Sequence, residues 1–131
     1  MEVGKTLSEI KVRDIMSKQL ISADPSTTLF QISKMMEQGV GAILVKKDGE
    51  SAGIITDRDF AIKIAANRHS LDTQVDKVAS YPLITISPDE SVLKAAEMMS
   101  SMKIRKLVAS EGGKITGIIT STDVVRLVAS A

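Results

Sequence analysis

Apolar positions along this chain follow two spacings. In SVLKAAEMMS, Val92, Ala95, Ala96 and Met99 fall at i, i+3, i+4 and i+7, which predicts a helix over about Ser91–Ser101. Leu29, Phe30, Ile32 and Met36 do much the same in TTLFQISKMMEQ and predict a helix from about Thr27 to Gln38. Asp-Pro and Ser-Pro stand ahead of these helices and read as helix entries, since proline tolerates a first turn. Elsewhere the apolar residues come in short runs. Ala42–Val45 and Ala52–Ile55 flank Lys47-Asp48-Gly49-Glu50, and Ile104–Ala109 and Ile115–Ile119 flank Glu111-Gly112-Gly113. Asp-Gly and Gly-Gly between such runs predict tight hairpins, because glycine reaches positive φ at little cost. Shorter β runs are expected at Leu20–Ser22 and Leu83–Ile86, short helical turns at VRDIM and VDKVA, and closing helices at Arg58–Ala66 and Thr122–Ala129.

The elements fall into two matching sets. Val12–Gly49 lies over Val75–Gly112 in constant register, with Pro25 on Pro88, Met35–Met36 on Met98–Met99 and Leu44–Val45 on Leu107–Val108. One residue is then inserted, and GIITDRD (Gly53–Asp59) lies over GIITSTD (Gly117–Asp123). Each set reads β-α-β-β-α, so the fold class is α+β, with one repeat at 8–66, a polar linker NRHSLDTQ at 67–74 and a second repeat at 75–130. A unit of this size buries little surface alone, so the two are expected to pack on each other through sheets or helices.

Composition narrows the chemistry. Of 131 residues, 44% are hydrophobic and 25% charged, an ordinary globular balance. Aromatics make up only 2%, which argues against stacking platforms for single-stranded nucleic acid. The net charge is +1 with no basic stripe, so duplex DNA is not an expected partner. Without cysteine and with His69 alone, a thiolate zinc site, a cysteine nucleophile or a histidine cluster is excluded. No apolar run approaches the ~20 residues of a membrane span, and MEVGKTLSEIKVRD has no signal-peptide core. The expectation is a cytoplasmic protein without a membrane partner.

The repeated phrase carries the candidate chemistry. Ile54 and Ile55 face opposite sides of a strand, Thr56 ends it, and Asp59 lies in the first turn of the next helix. Free N–H groups and the positive end of the helix dipole collect at such a turn. Phosphate can settle there, and a carboxylate can accept hydrogen bonds from two vicinal sugar hydroxyls. Thr-x-x-Asp is also capping-box-like. One copy reads as plain capping; two copies in two matching units favour a ribose-phosphate reader. The glycines can serve simply to relieve crowding on the strand.

These features, in this order and twice over, resemble a tandem pair of cystathionine-β-synthase (CBS) domains, a Bateman module. The resemblance spans about Val12 to Ala129. It rests on the V-x-D-I-M opening, the proline-led helix ending in Met-Met, the Leu-Val strand and both G-I-I-T-x-x-D endings. It implies two units packed through their sheets with pseudo-two-fold symmetry, pairing as a homodimer. It further implies a non-catalytic sensor that requires no cofactor, binds AMP, ADP, ATP or S-adenosylmethionine, and signals through conformational change to an unidentified protein partner. Carried over, one cleft holds Ile54, Thr56, Arg58 and Asp59, with Leu83 and Ile84 against adenine and Ile104, Arg105 and Lys106 toward phosphate. The other holds Ile118, Thr120, Thr122 and Asp123, facing Leu20, Ile21, Val40, Gly41 and Ala42. Asp59 and Asp123 take ribose hydroxyls; Thr56, Thr120 and Thr122 touch ribose or phosphate.

The residues make the clefts unequal. Arg58, Arg105 and Lys106 supply the first with charge-assisted donors, whereas the matching Thr122, Gly41 and Ala42 are neutral. The first is therefore expected to prefer a phosphorylated ligand, unless Arg105 and Lys106 are edge-strand charges that discourage aggregation. Met35, Met36, Met98, Met99 and Met102 read as core and interface filler, and His69 as a loop residue. Three rivals stand beside the sensor: a homodimeric assembly module with vestigial clefts, a weak nucleotide hydrolase lacking a visible water activator, and a nonspecific nucleic-acid binder.

Overall fold

A computed structural model of the chain describes residues 3–130. In chain order it contains helices α1 (Val3–Glu9) and α2 (Val12–Ile15), strand β1 (Ser22–Ala23), helix α3 (Leu29–Glu37), and strands β2 (Ala42–Lys47) and β3 (Glu50–Thr56). Helix α4 begins at Asp57–Asp59 and widens into a π-helix over Phe60–Ala65. A 3-10 turn (Val75–Lys77) precedes strand β4 (Thr85–Ile86), helix α5 (Val92–Met102), strands β5 (Lys106–Glu111) and β6 (Lys114–Thr120), and helix α6 (Ser121–Ser130). The chain gathers into two compact units. One is the continuous stretch Leu20–Leu83; the other joins the residues up to Gln19 to the stretch from Ile84 onward.

The two units are built alike. In each, a two-residue strand runs parallel to the first strand of a hairpin, giving the orders β1-β2-β3 and β4-β5-β6. Alternation along the strands sends Ile43, Val45 and Ile55 to a core they share with Leu29 and Ile32 of α3, Ile64 of α4, and Val75 and Val78. The other core joins Leu107, Ala109 and Ile119 to Val92, Ala95 and Met99 of α5 and to Leu7 and Val12. Each unit thus takes its last core residues from the segment that opens the opposite repeat.

Backbone hydrogen bonds fix those opening segments in place. Ser80 and Ile54 exchange N–H···O bonds of 2.9 and 3.1 Å, and Ser17 and Ile118 exchange bonds of 2.8 and 2.9 Å. Both straps cross a strand at a glycine. A Cβ on Gly53 would lie 2.6 Å from the Tyr81 ring and 2.9 Å from the Ser80 carbonyl; on Gly117 it would lie 2.6 Å from Met16 Sδ and 2.8 Å from the Ser17 carbonyl. The glycine of the repeated phrase is thus a crossing point, more specific than relief of crowding.

Three expectations change. The prolines do not open the helices. The N-caps are Thr28, whose Oγ1 accepts from Gln31 N–H at 3.2 Å, and Ser91, whose Oγ accepts from Lys94 N–H at 3.0 Å. Pro25 and Pro88 lie upstream and offer carbonyls to Asp76 and Arg13 N–H. The polar stretch at 67–74 also caps: Thr73 and Leu71 carbonyls accept from Leu29 and Phe30 N–H, two donors without partners inside α3. Finally, the extra residue of the second repeat belongs to its helix. Positive φ occurs at Asp48 and Gly49 (54° and 82°) and at Gly112 and Gly113 (59° and 80°), so the two hairpin turns superpose Gly49 on Gly113, not Gly112. Helix α5 is 11 residues long against 9 for α3, and that difference precedes the hairpin.

Candidate functional site

Each strand-to-helix turn is closed by its own threonine and aspartate. In the Leu20–Leu83 unit, Thr56 N–H donates to Asp59 Oδ2 at 2.9 Å and Asp59 N–H donates to Thr56 Oγ1 at 3.1 Å. Thr120 N–H donates to Asp123 Oδ2 at 2.9 Å, and Asp123 N–H to Thr120 Oγ1 at 3.2 Å; the Thr120 hydroxyl lies 3.0 Å from the same Oδ2. The capping reading is therefore correct as far as it goes. It uses one carboxylate oxygen in each turn and leaves the other outside the cap.

Those second oxygens lie near cations on the following helix. Asp59 Oδ1 lies 3.8 Å from Lys63 Nζ, and Asp123 Oδ1 lies 3.8 Å from Arg126. Lys63 is also tied down, donating to Ser80 Oγ at 2.6 Å. Neither cation was singled out from sequence. The signal was available in the helical spacing, since Lys63 stands four residues and Arg126 three residues after the aspartate. The Ser80 tether was not, because it depends on the strap reaching Ile54.

The other candidate residues group by unit. Around the Thr56–Asp59 turn, Ala42 pairs with Thr56, the Gly41 carbonyl accepts from Asp57 N–H at 3.1 Å, and Ile54 pairs with Leu44. The Ile21 carbonyl accepts from Leu44 N–H at 2.9 Å, Val40 is half-buried ahead of β2, and Arg58 is exposed. Leu20 and Leu83 are half-buried at the two ends of this unit. Around the Thr120–Asp123 turn, Lys106 pairs with Thr120, the Arg105 carbonyl accepts from Ser121 N–H at 2.8 Å, and Ile118 pairs with Val108. The Ile84 carbonyl accepts from Val108 N–H at 3.2 Å. Ile104 is half-buried; Thr122 and Arg105 are exposed. Within its own unit each turn therefore lies beside the start of its own hairpin.

Each turn presents a carboxylate oxygen and a hydroxyl at a helix start, next to half-buried aliphatic residues. Among the described residues, no group of three histidine, aspartate or glutamate side chains could hold a metal ion. No helix among them is long and apolar enough to cross a membrane.

Comparison with known proteins bears on both units. The family model for the CBS domain matches residues 12–66 and 75–130. A protein of Methanopyrus kandleri, MK0525, is 30% identical over 125 residues, 92% of this chain; the chain spans only 64% of that protein's length. A conserved protein of Pyrococcus horikoshii has a crystal structure similar at a TM-score of 0.86, with 28% identity over 94% of this chain and 93% of its own. The CBS domain pair of protein MJ0100, solved with 5′-methylthioadenosine and S-adenosyl-L-methionine, is similar at a TM-score of 0.79, with 27% identity over 92% of this chain and 96% of its own.

Proposed function

Since this chain belongs to the CBS-domain family, whose pairs are regulatory and non-catalytic modules, we propose that it senses adenosine-containing ligands such as AMP, ADP or ATP. The carrying observation is the carboxylate oxygen that the cap leaves unused at each Thr-x-x-Asp turn. Ribose hydroxyls donate to Asp59 or Asp123, and the adenine packs on half-buried aliphatic residues such as Ile21, Ile54, Ile84 and Ile104. Arg58, exposed one residue before Asp59, serves as a phosphate-holding cation at that turn, and Arg105 and Lys106 serve so beside the Thr120–Asp123 turn. The likeness to a CBS pair solved with adenosine derivatives supports this ligand class. Binding signals to a protein partner only insofar as the ligand favours one arrangement of the chain over another.

Isothermal titration with AMP, ADP, ATP and S-adenosylmethionine tests the reading. Asp59→Asn and Asp123→Asn are the useful variants, because asparagine keeps an oxygen for the cap while removing the charge. We expect saturable binding of at least one ligand, weakened about tenfold or more by Asp59→Asn, the loss of a charged hydrogen-bond acceptor. Weakening by Asp123→Asn alone would move the preferred site to the other turn. No binding by any of the four would overturn the sensor reading.

A second reading has its own observation. Helix α6 leaves Val125 66% exposed, and with α5 it borders an apolar groove of about 260 Å³ lined by Ala96, Met99, Ile104 and Val124. This is a surface suited to a second copy of the chain, as an assembly module would need. Sedimentation velocity with Val125→Glu checks it: the variant should sediment as a monomer at concentrations where the parent is a dimer.

A further inference from the structure

The two Asp–cation pairs look equivalent and are not. Arg126 is 76% exposed, and Asp123 is its sole ion-pair partner among the described residues. Lys63 is 42% exposed, and its ammonium is fixed by the 2.6 Å bond to Ser80 Oγ. Ser80 is itself locked by two backbone bonds to Ile54, at the crossing that Gly53 permits. The Lys63 head group therefore has little freedom. It stands 3.8 Å from Asp59 Oδ1, too far for the direct contact of about 2.7–2.9 Å that such a pair makes when it closes. Across that gap one oxygen can lie within about 2.8 Å of both groups. That oxygen would have to accept from the ammonium and donate to the carboxylate. A sugar hydroxyl does both; an ether oxygen or a methylene cannot.

We infer that Lys63 is a specificity-determining residue that reads one ribose hydroxyl jointly with Asp59, so that the first site selects ribonucleotides over deoxyribonucleotides. The inference rests on the sugar-binding reading of Asp59 proposed above. The helix around Lys63 supports a special role, because its wide π turns set the register with which Lys63 approaches the turn, and such turns often occur at functional sites. At the matching place α6 is regular and carries Leu127, which cannot donate. When the hydroxyl is missing, the ammonium and the carboxylate lose their shared partner beneath the ligand, and the analogue is rejected for that reason.

The test is a titration of the full chain with AMP and ATP and with their 2′-deoxy and 3′-deoxy forms. Parent, Lys63→Met, Ser80→Ala and Arg126→Met proteins are compared. The parent should bind the ribonucleotide about tenfold or more tightly than one of the two deoxy forms. That ratio should collapse toward unity in Lys63→Met and shrink in Ser80→Ala, which keeps the charge but frees it. Arg126→Met should preserve it. Ribonucleotide binding with an undiminished ratio in Lys63→Met would overturn the role of Lys63 and leave the sensor standing. Absence of nucleotide binding by the parent would overturn both. Should Lys63→Met melt well below the parent, the Ser80→Ala ratio decides, with no shrinkage counting against the inference.

Discussion

Gly53 and Gly117 are the residues at which two chain segments come closest, and substitution there is informative. Alanine at either position meets a backbone carbonyl at under 3 Å, which a rotamer change cannot relieve. Gly53→Ala and Gly117→Ala should each cost about 1–3 kcal/mol, measured by urea denaturation, and Gly53→Ala should also displace Ser80 and with it the Lys63 tether. An unchanged midpoint would mean that the straps move aside freely. Next to Gly53, Tyr81 is the only tyrosine of the chain, so its ionisation can be followed by absorbance alone. Burial first, and the Asp76 charge second, hold its phenol above the usual range. Its alkaline midpoint should lie above the ordinary value of about 10. The stability this represents is complete below that value and is lost as pH rises through the higher folded one. A midpoint at or under 10 would contradict the packing of the ring. At this scale the sequence disclosed Thr56, Asp59, Thr120 and Asp123, because their spacing is local. It did not disclose Ser80 as a partner of Lys63, since that contact forms only after residues far apart in the chain have met.

Among the elements, the caps and one ion pair carry the predictions. Thr56→Ala and Thr120→Ala remove the hydroxyl that accepts from N3 and should cost about 1 kcal/mol each, read as a lowered thermal midpoint with helix content otherwise retained. Arg13 of α2 donates to Asp89 Oδ1 through Nε at 2.9 Å and through its terminal nitrogen at 2.6 Å, fastening α2 to the loop before α5. The hydrogen bonds from Arg13 hold the Asp89 carboxyl below the usual range. Its contribution is therefore complete above about pH 3.9 and lost as pH falls through the lower folded value. Arg13→Ala should narrow the stability gap to the parent as the solution is acidified through that window; a gap independent of pH would show that the pair does not matter. The long helices and both hairpins were legible because periods of 3.6 and 2 and the glycine turns act locally. The widening of α4 was not, since FAIKIA has no residue that announces it. Helix α1 was missed too, for its core residue Leu7 gains meaning only against α5.

For the whole molecule the duplication was plain in the sequence, and the wiring was not. Two copies of one phrase disclose two similar units, but the partner of each opening segment is chosen in space: residues 12–17 join the second hairpin, and residues 75–82 join the first. Removing residues 1–19 should therefore damage the unit that begins far downstream. Hydrogen exchange should show amides of β5 and β6 losing protection while those of β2 and β3 keep theirs. Equal loss in both hairpins would indicate that the units are not separately stable.

That wiring also sets an order of events during translation. The stretch Leu20–Leu83 is continuous, so it is complete once Leu83 has left the ribosome. Residues 3–19 cannot dock then, because the strands and helix that receive them have yet to be made. They must wait until α5, β5 and β6 have been synthesised. A nascent chain stalled shortly after Leu83 should hold the Leu20–Leu83 unit folded with residues 3–19 still undocked, and the second unit closes only once β6 has emerged to meet Ser17.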